Sequence, residues 1–211
     1  MLPSILERMS AAAHRVGRDP TETALVAVTK GRTVGEIESE VLRYGHHILG
    51  ENRVQEWRKK AFELEGVEWH LIGNLQRNKV KYCTGAHLIH SLNSKRLADA
   101  LEAYGEKRDH LFRTLIEVNV SGEVSKQGVD PEGAPELLRY VRSLDHVTVE
   151  GLMCMAPYHP DPEAARPSFR TLRVLGERLK LDVLSMGMSS DFEVAIEEGS
   201  TLVRVGSALF E

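Results

Sequence analysis

Eight short apolar runs, most of them followed by a segment with helical spacing, recur along this 211-residue chain with a short period. The runs lie near 24–29, 46–49, 68–72, 86–90, 113–119, 147–153, 181–185 and 201–205. Ahead of them Leu2, Ile5, Leu6, Met9 and Val16 recur at helical spacing and predict an opening amphipathic helix. Between the runs, Val34, Ile37 and Val41 share one helical face, and Ser94 is placed to cap a segment whose stripe is Leu97, Leu101 and Tyr104. Asp130-Pro131 sets a cap residue before a first-turn proline, and Asp161-Pro162 repeats that start ahead of Phe169, Leu172, Leu175 and Leu179. Strands alternating with helices pair in parallel through helical crossovers, and eight such units can close on themselves. The expected fold is therefore α/β, a (β/α)8 barrel of TIM type with an extra N-terminal helix, compact for that architecture. No Pro/Gly/Ser-rich linker, low-complexity tract or repeat divides the chain, so residues 1–211 are read as one domain, although the length would also admit two small ones. A doubly wound open sheet is the competing arrangement; against it, no strand leads into G-x-G-x-x-G.

Charge and residue usage remove several classes of function. The net charge is −4 and the basic residues are scattered, so a nucleic-acid partner is not expected. Arg77-Asn-Lys-Val-Lys81, the densest basic stretch, reads as a solvated helix face. Uncharged stretches are only strand-sized, and Met1–Arg8 carries charge where a signal peptide would place its apolar region; no membrane partner and a cytoplasmic location are expected. The two cysteines, Cys83 and Cys154, are far apart and suit a reducing compartment. The nine histidines show no zinc-ligand spacing, so no metal site is expected, and His46-His47 and the His87/His90 pair are read as surface or satisfied polar positions.

The chemistry concentrates at the ends of the first and last runs. Lys30 closes Ala24-Leu-Val-Ala-Val-Thr29, and a lysine at the mouth of a buried strand costs desolvation energy unless its nitrogen is partnered. One use for it is as a Schiff-base amine. In a barrel, phosphate is often held by the loops after the seventh and eighth strands. Here the seventh run leads into Ser185-Met-Gly-Met-Ser189, with Gly187 allowing close backbone approach and Ser189 a hydroxyl, and the eighth ends in Gly206-Ser207. The plain alternative is that both glycines serve turns and Ser190 caps a helix. Arg204 alternates with Val203 and Val205, so if the valines face the helices it points into the barrel, toward a ligand or toward an interior carboxylate such as Glu117. An amine for an aldehyde, a cup for a phosphate and an arginine for a pyridine nitrogen together suit pyridoxal 5′-phosphate (PLP).

Seven motifs in order carry a family resemblance: Ala27-Val-Thr-Lys30; Leu49-Gly-Glu-Asn-Arg-Val-Gln-Glu56; Trp69-His-Leu-Ile-Gly73 with Leu75-Gln76 and Asn78-Lys79; Val118-Asn-Val-Ser-Gly-Glu123 with Lys126 and Gly128; Gly151-Leu-Met153; Leu184-Ser-Met-Gly-Met-Ser189 with Asp191; and Gly199-Ser-Thr-Leu-Val-Arg-Val-Gly206. In these the chain resembles the YggS/PROSC-type PLP homeostasis proteins. The resemblance implies a barrel of the kind also used by alanine racemase, PLP fold type III, with the cofactor held on Lys30 as an internal aldimine. It implies that Ser189 and the backbone around Gly206 and Ser207 hold the phosphate, that Arg204 approaches the pyridine nitrogen, and that Asn52 lies near the ring. His70 falls near the same site by motif, with a buried structural role as the alternative. Thr29 stands where the family often has Ser, Ser207 where Thr is common, and Phe210-Glu211 where a glycine usually follows the phenylalanine.

The expected function is PLP homeostasis: storing, shielding or handing over a reactive aldehyde without turnover, with apo-PLP enzymes as recipients and the chain a monomer or weak dimer. Similar racemases add a β-rich domain and a tyrosine base that faces the lysine from a partner subunit, and an arginine at the pyridine nitrogen makes the ring a poorer electron sink. The alternative is a racemase-like PLP enzyme, which would need Tyr44, Tyr82, Tyr104, Tyr140 or Tyr158 opposite Lys30. A barrel isomerase acting on a sugar phosphate is a third class. Lys126 is considered as a transient second amine during cofactor release, against the reading of an exposed loop lysine, and Cys154 is placed near the barrel mouth.

Overall fold

The computed structural model describes residues 1–122 and 127–210, and Lys126 lies outside the described residues. Eight parallel strands form a closed barrel in sequence order: β1 (Ala24–Val28), β2 (Ile48–Glu51), β3 (Glu68–Leu71), β4 (Leu88–Leu92), β5 (Phe112–Glu117), β6 (Val147–Met153), β7 (Val183–Ser185) and β8 (Leu202–Val205). Closure is made by β8 against β1, with Arg204 opposite Val26 and Val205 opposite Ala27. The helices are α1 (Leu2–Arg15), α2 (Val34–Glu40), α3 (Val54–Glu63), α4 (Lys95–Arg108), α5 (Ala134–Val141), α6 (Arg166–Leu179), α7 (Phe192–Glu197) and α8 (Ser207–Phe210), with a stretch of 3₁₀ helix, Arg77–Tyr82, between β3 and β4.

The start signals act as local chemistry dictates. Ser94 accepts a hydrogen bond from the Leu97 backbone at 3.3 Å and opens α4. Asp130 accepts from the Gly133 N–H at 2.6 Å, so it caps the turn leading into α5 rather than the helix itself. Asp161 accepts from the Glu163 N–H at 3.0 Å and begins a 3₁₀ turn that runs on into α6. The opening helix has a structural purpose: α7 spans six residues and α8 four, too little to cover the strands beneath them. Helix α1 packs there, burying Leu2, Ile5, Met9, Ala12 and Ala13, and Arg8 and Arg15 pair with Glu193 while Arg15 also reaches Glu197.

Two strands run past their expected C-terminal ends. β2 runs to Glu51 and β4 to Leu92, because Glu51, His90 and Ser91 are polar residues buried at strand positions and so break the apolar run without ending the strand. The main core lies between the barrel and its helices and includes Val203 and Val205. A smaller apolar cluster of Leu88, Leu115 and Met153, with Val183 and Leu202 against it, fills part of the barrel interior. Among the described residues no helix is long and apolar enough to cross a membrane.

Candidate functional site

At the C-terminal end of the barrel, a cleft of about 400 Å³ is lined by Val28, Lys30, Arg32, Asn52, Ile72, Met155, Met188, Ser189, Arg204, Gly206 and Ser207. All of Lys30, Asn52, Ser189, Arg204, Gly206 and Ser207 face this one space. The motifs gave no reason to expect Ile72, Met155 or Met188 in its wall. Larger hollows exist elsewhere, including one of about 650 Å³ beside α6, but none of those six residues lines that one.

Lys30 follows β1 directly. It is exposed, and among the described residues it makes no hydrogen bond or ion pair. The expected desolvation cost at Lys30 is thus not found, because the strand ends one peptide earlier and delivers the side chain into the open cleft. The buried lysine is Lys60 of α3, which the sequence reading missed. Its ammonium donates to the Thr29 carbonyl at 2.7 Å and to Glu51 Oε1. Thr29, fully buried, also donates its hydroxyl to Glu51 Oε1 at 2.7 Å and its N–H to the Gly50 carbonyl at 3.0 Å. Thr29, and with it the peptide that carries Lys30, is therefore held from behind while the Lys30 side chain is left free. Glu51 belongs to the Gly-Glu-Asn motif; Thr29 and Glu51 stood inside the quoted motifs, and their role becomes visible only when Lys60 arrives from the next helix.

The two turns after β7 and β8 are tied together. Ser189 Oγ accepts from the Gly206 N–H at 3.2 Å, and the Arg204 N–H donates to the Gly187 carbonyl at 3.0 Å. Asp191 accepts from the Met188 N–H at 2.6 Å and opens α7. Gly187 adopts φ +93°, and a Cβ there would lie 2.5 Å from Ala195 Cβ. Its glycine thus admits the close packing of α7. At Gly206 a Cβ would lie 3.3 Å from Val28 Cβ, so a side chain there would crowd the cleft wall. Ser207 is exposed beside them, and Ser189 is half-buried.

Arg204 is 4% exposed, with its guanidinium inside the barrel as the alternation with Val203 and Val205 predicts. It donates to Ser185 Oγ and, at 2.9 Å, to the Cys154 carbonyl. It does not hydrogen-bond to Glu117, the carboxylate that might have held it; burial pushes the Glu117 carboxyl up, with Arg204 acting only at a distance in the opposite sense. Burial likewise pushes the Cys154 thiol up to about 12, which makes it a core thiol and not a nucleophile. A buried arginine bonded to neutral oxygens keeps charge to offer a ligand. A donor that stays protonated, set beside a ring nitrogen, favours the unprotonated nitrogen.

His70 lies outside the cleft. It is 2% exposed and hydrogen-bonded inside the barrel. At the opposite, N-terminal end, Glu68, His70 and His87 bring three potential metal-ligand atoms within 4.8 Å. Arg113 lies against one of the three, with Nη1 2.6 Å from His87 Nε2 and its other nitrogens on Glu150, so a cation is already paired at this end.

Comparison with known proteins agrees with this geometry. The family model for the alanine racemase N-terminal domain matches residues 2–211. A protein of Aquifex aeolicus named pyridoxal phosphate homeostasis protein is 47% identical, covering 99% of this chain and 95% of its own length. One of the same name from Deinococcus radiodurans is 42% identical, covering 99% of both. Among solved structures, PipY of Synechococcus elongatus with PLP bound superposes with a TM-score of 0.84 at 31% identity, covering 98% of this chain and all of PipY.

Proposed function

This chain belongs to the alanine racemase N-terminal domain family and, within it, to the pyridoxal phosphate homeostasis proteins; from that premise we propose that it binds PLP in the cleft at the C-terminal end of its barrel as a carrier and not as an enzyme. The observation that carries this reading is the convergence of Lys30, Asn52, Ser189, Arg204, Gly206 and Ser207 on one cleft of a size that suits a small phosphorylated ligand.

Bound PLP would supply an electrophilic aldehyde, and the protein's side chains set what that aldehyde meets. Lys30 would hold the group through its amine, and the bonds to Thr29 fix where that amine emerges. The Ser189 hydroxyl still has its hydrogen to give to a phosphate oxygen while it accepts from Gly206, and Ser207 stands ready on the other side. Arg204 would stand toward the ring nitrogen, with a guanidinium that stays protonated. Asn52 lies at the rim.

Two features favour a carrier. An arginine at the ring nitrogen weakens the ring as an electron sink. None of Tyr44, Tyr82, Tyr104, Tyr140 and Tyr158 lines the cleft, so the chain offers no phenolic base opposite Lys30. Recipient apo-PLP enzymes follow from the same reading, since a held aldehyde is useful only if it can be passed on.

A PLP titration followed in the visible, with Lys30→Ala in parallel and racemisation of common amino acids assayed on the loaded protein, tests this. A band that needs Lys30, without racemisation, is the expected result. Racemisation would make the protein an enzyme, and failure to bind PLP would return the cleft to another phosphorylated ligand such as a sugar phosphate.

A further inference from the structure

Asparagine and glutamine are distributed unevenly over this molecule. The chain has eight such residues, and six of them, Asn52, Gln55, Asn74, Gln76, Asn78 and Asn93, line two adjoining hollows beside the cleft. The first hollow, of about 710 Å³, lies over the loops after β2 and β3 and shares Asn52 with the cleft. The second, of about 820 Å³, lies over the loops after β3 and β4 and shares Asn74 and Gln76 with the first. Because β2, β3 and β4 are consecutive in the barrel, the cleft and the hollows form one groove along its C-terminal rim.

The floor of this groove is fixed. A Cβ at Gly73 would lie 2.3 Å from the Asn52 carbonyl oxygen, so glycine is what lets the loops after β2 and β3 meet backbone to backbone. Ser91 Oγ, buried near the end of β4, donates to the Gly73 carbonyl at 2.8 Å and ties the next strand to the same point. Above that floor Asn93 bonds to Glu117, but the side chains of Asn52, Gln55, Asn74, Gln76 and Asn78 make no hydrogen bond among the described residues. Open donors and acceptors on a rigid support lose little freedom when a ligand takes them.

Charge points the same way. Arg53, Arg77, Lys79 and Arg96 line the groove against Glu56 alone. Arg53 stands 3.6 Å from Glu56, and the other three cations make no ion pair among the described residues. On a chain of net charge −4 this is a local positive field, which favours an anionic partner. The basic stretch Arg77–Lys81 is therefore divided: Arg77, Asn78 and Lys79 enter the wall, whereas Lys81 lies over the Tyr82 ring, 5.0 Å from its centroid.

A carboxamide carries a donor and an acceptor as a peptide group does, so a row of carboxamides pairs with the N–H and C=O groups of an extended chain. Carboxylates on that chain would meet the cations. Among the described residues no aromatic side chain lines either hollow, so unpaired bases would find no stacking platform. The apolar residues there, Val54, Leu75 and Leu97, are buried and offer no seat to an amphipathic helix.

We propose that this groove docks an acidic polypeptide segment in extended form, held by its backbone on the carboxamides and by its carboxylates on the arginines and Lys79. A segment seated there would reach the mouth of the cleft, where Asn52 stands in both walls. The docking goes beyond the function proposed above and does not depend on it.

Fluorescence anisotropy on cofactor-free protein tests this with three short labelled peptides: one of alternating Glu and Ser, the same peptide N-methylated at alternate amides, and one of alternating Lys and Ser. The acidic peptide is expected to bind, and to weaken by about tenfold both on N-methylation and in the double variant Asn74→Ala/Gln76→Ala. Its binding should be lost in Arg77→Glu/Lys79→Glu, and the Lys peptide should not bind. The N-methylated peptide keeps the test independent of how the variants fold. No binding of the acidic peptide, or binding indifferent to N-methylation or to Asn74 and Gln76, would overturn the proposal. An oligothymidylate that displaces the peptide and binds more tightly, with the same dependence on Asn74 and Gln76, would assign the groove to nucleic acid instead. PLP is absent from the measurement, so a failure of the protein to bind PLP leaves its result intact.

Discussion

At the N-terminal end of the barrel, Arg113 bonds both oxygens of Glu150 and the His87 ring, and Glu68 bonds His70 and pairs with His87. At the C-terminal end, among the described residues, the side chains of Lys30, Asn52 and Ser207 make no hydrogen bond or ion pair, and Arg204 has only neutral acceptors. The first end has the richer set of histidines and carboxylates, and a reading by residue type alone would have put the chemistry there. Its groups satisfy one another, whereas the second end keeps unused donors on a rigid support. Hydrogen-bonding capacity left open, and not charge density, distinguishes the two.

Mutations should separate the ends by how much each relies on fixed bonds. The largest effect is expected beneath Lys30: Lys60→Met leaves the Glu51 carboxylate buried without its cation and should cost about 3 kcal/mol, read as a lowered urea midpoint. It should also impair PLP loading, because the Thr29 carbonyl loses one of its two donors and keeps only the Arg32 N–H. A preserved midpoint would mean that Lys30 is not held from behind. Gly187→Ala comes next, at about 1–3 kcal/mol, since it combines an unfavourable φ with contact against Ala195. A free hydroxyl is a weaker requirement than a fixed backbone, so Ser207→Ala should leave stability within about 0.5 kcal/mol while weakening PLP binding.

A pH effect sharpens the contrast further. His90 is neutral in the folded protein because burial pushes its pKa well below the ordinary imidazole value, whereas the unfolded chain binds a proton below about pH 6.5. Stability is therefore undiminished above that pH and falls as pH drops toward the folded pKa, with a slope of at most about 1.4 kcal/mol per pH unit. Urea midpoints measured at falling pH should show that slope in the wild type and a shallower one in His90→Gln. The smallest effect is expected for Arg113→Gln, within about 1 kcal/mol for so partly exposed an ion pair, with the PLP band retained. Loss of the band in that variant would show that the ends are not distinct in the way described.

Much of this was legible in the sequence, for definite reasons. Apolar runs with helical segments between them are the direct trace of strands whose outer faces meet helices, so the barrel, its N-terminal helix and the inward direction of Arg204 could all be read. The lysine, the serine-glycine turns and the arginine sit at strand ends, where the topology alone brings them together. Polar residues inside the barrel were harder. Glu51 and Ser91 interrupt the apolar pattern and shortened the apparent strands, although they are buried strand residues. Lys60 lies in Val54–Glu63 with nothing in its own segment to mark it as buried, and Ser185 closed an expected strand with nothing to show that Arg204 would bond it. Their partners come from other strands or helices, and a linear pattern carries no record of such pairings.

The most direct test of the central claim is borohydride reduction of PLP-loaded protein followed by peptide mass mapping. The account predicts a stable adduct confined to the peptide containing Lys30 and absent after Lys30→Ala. An adduct on another lysine, with Lys30 unmodified, would contradict it.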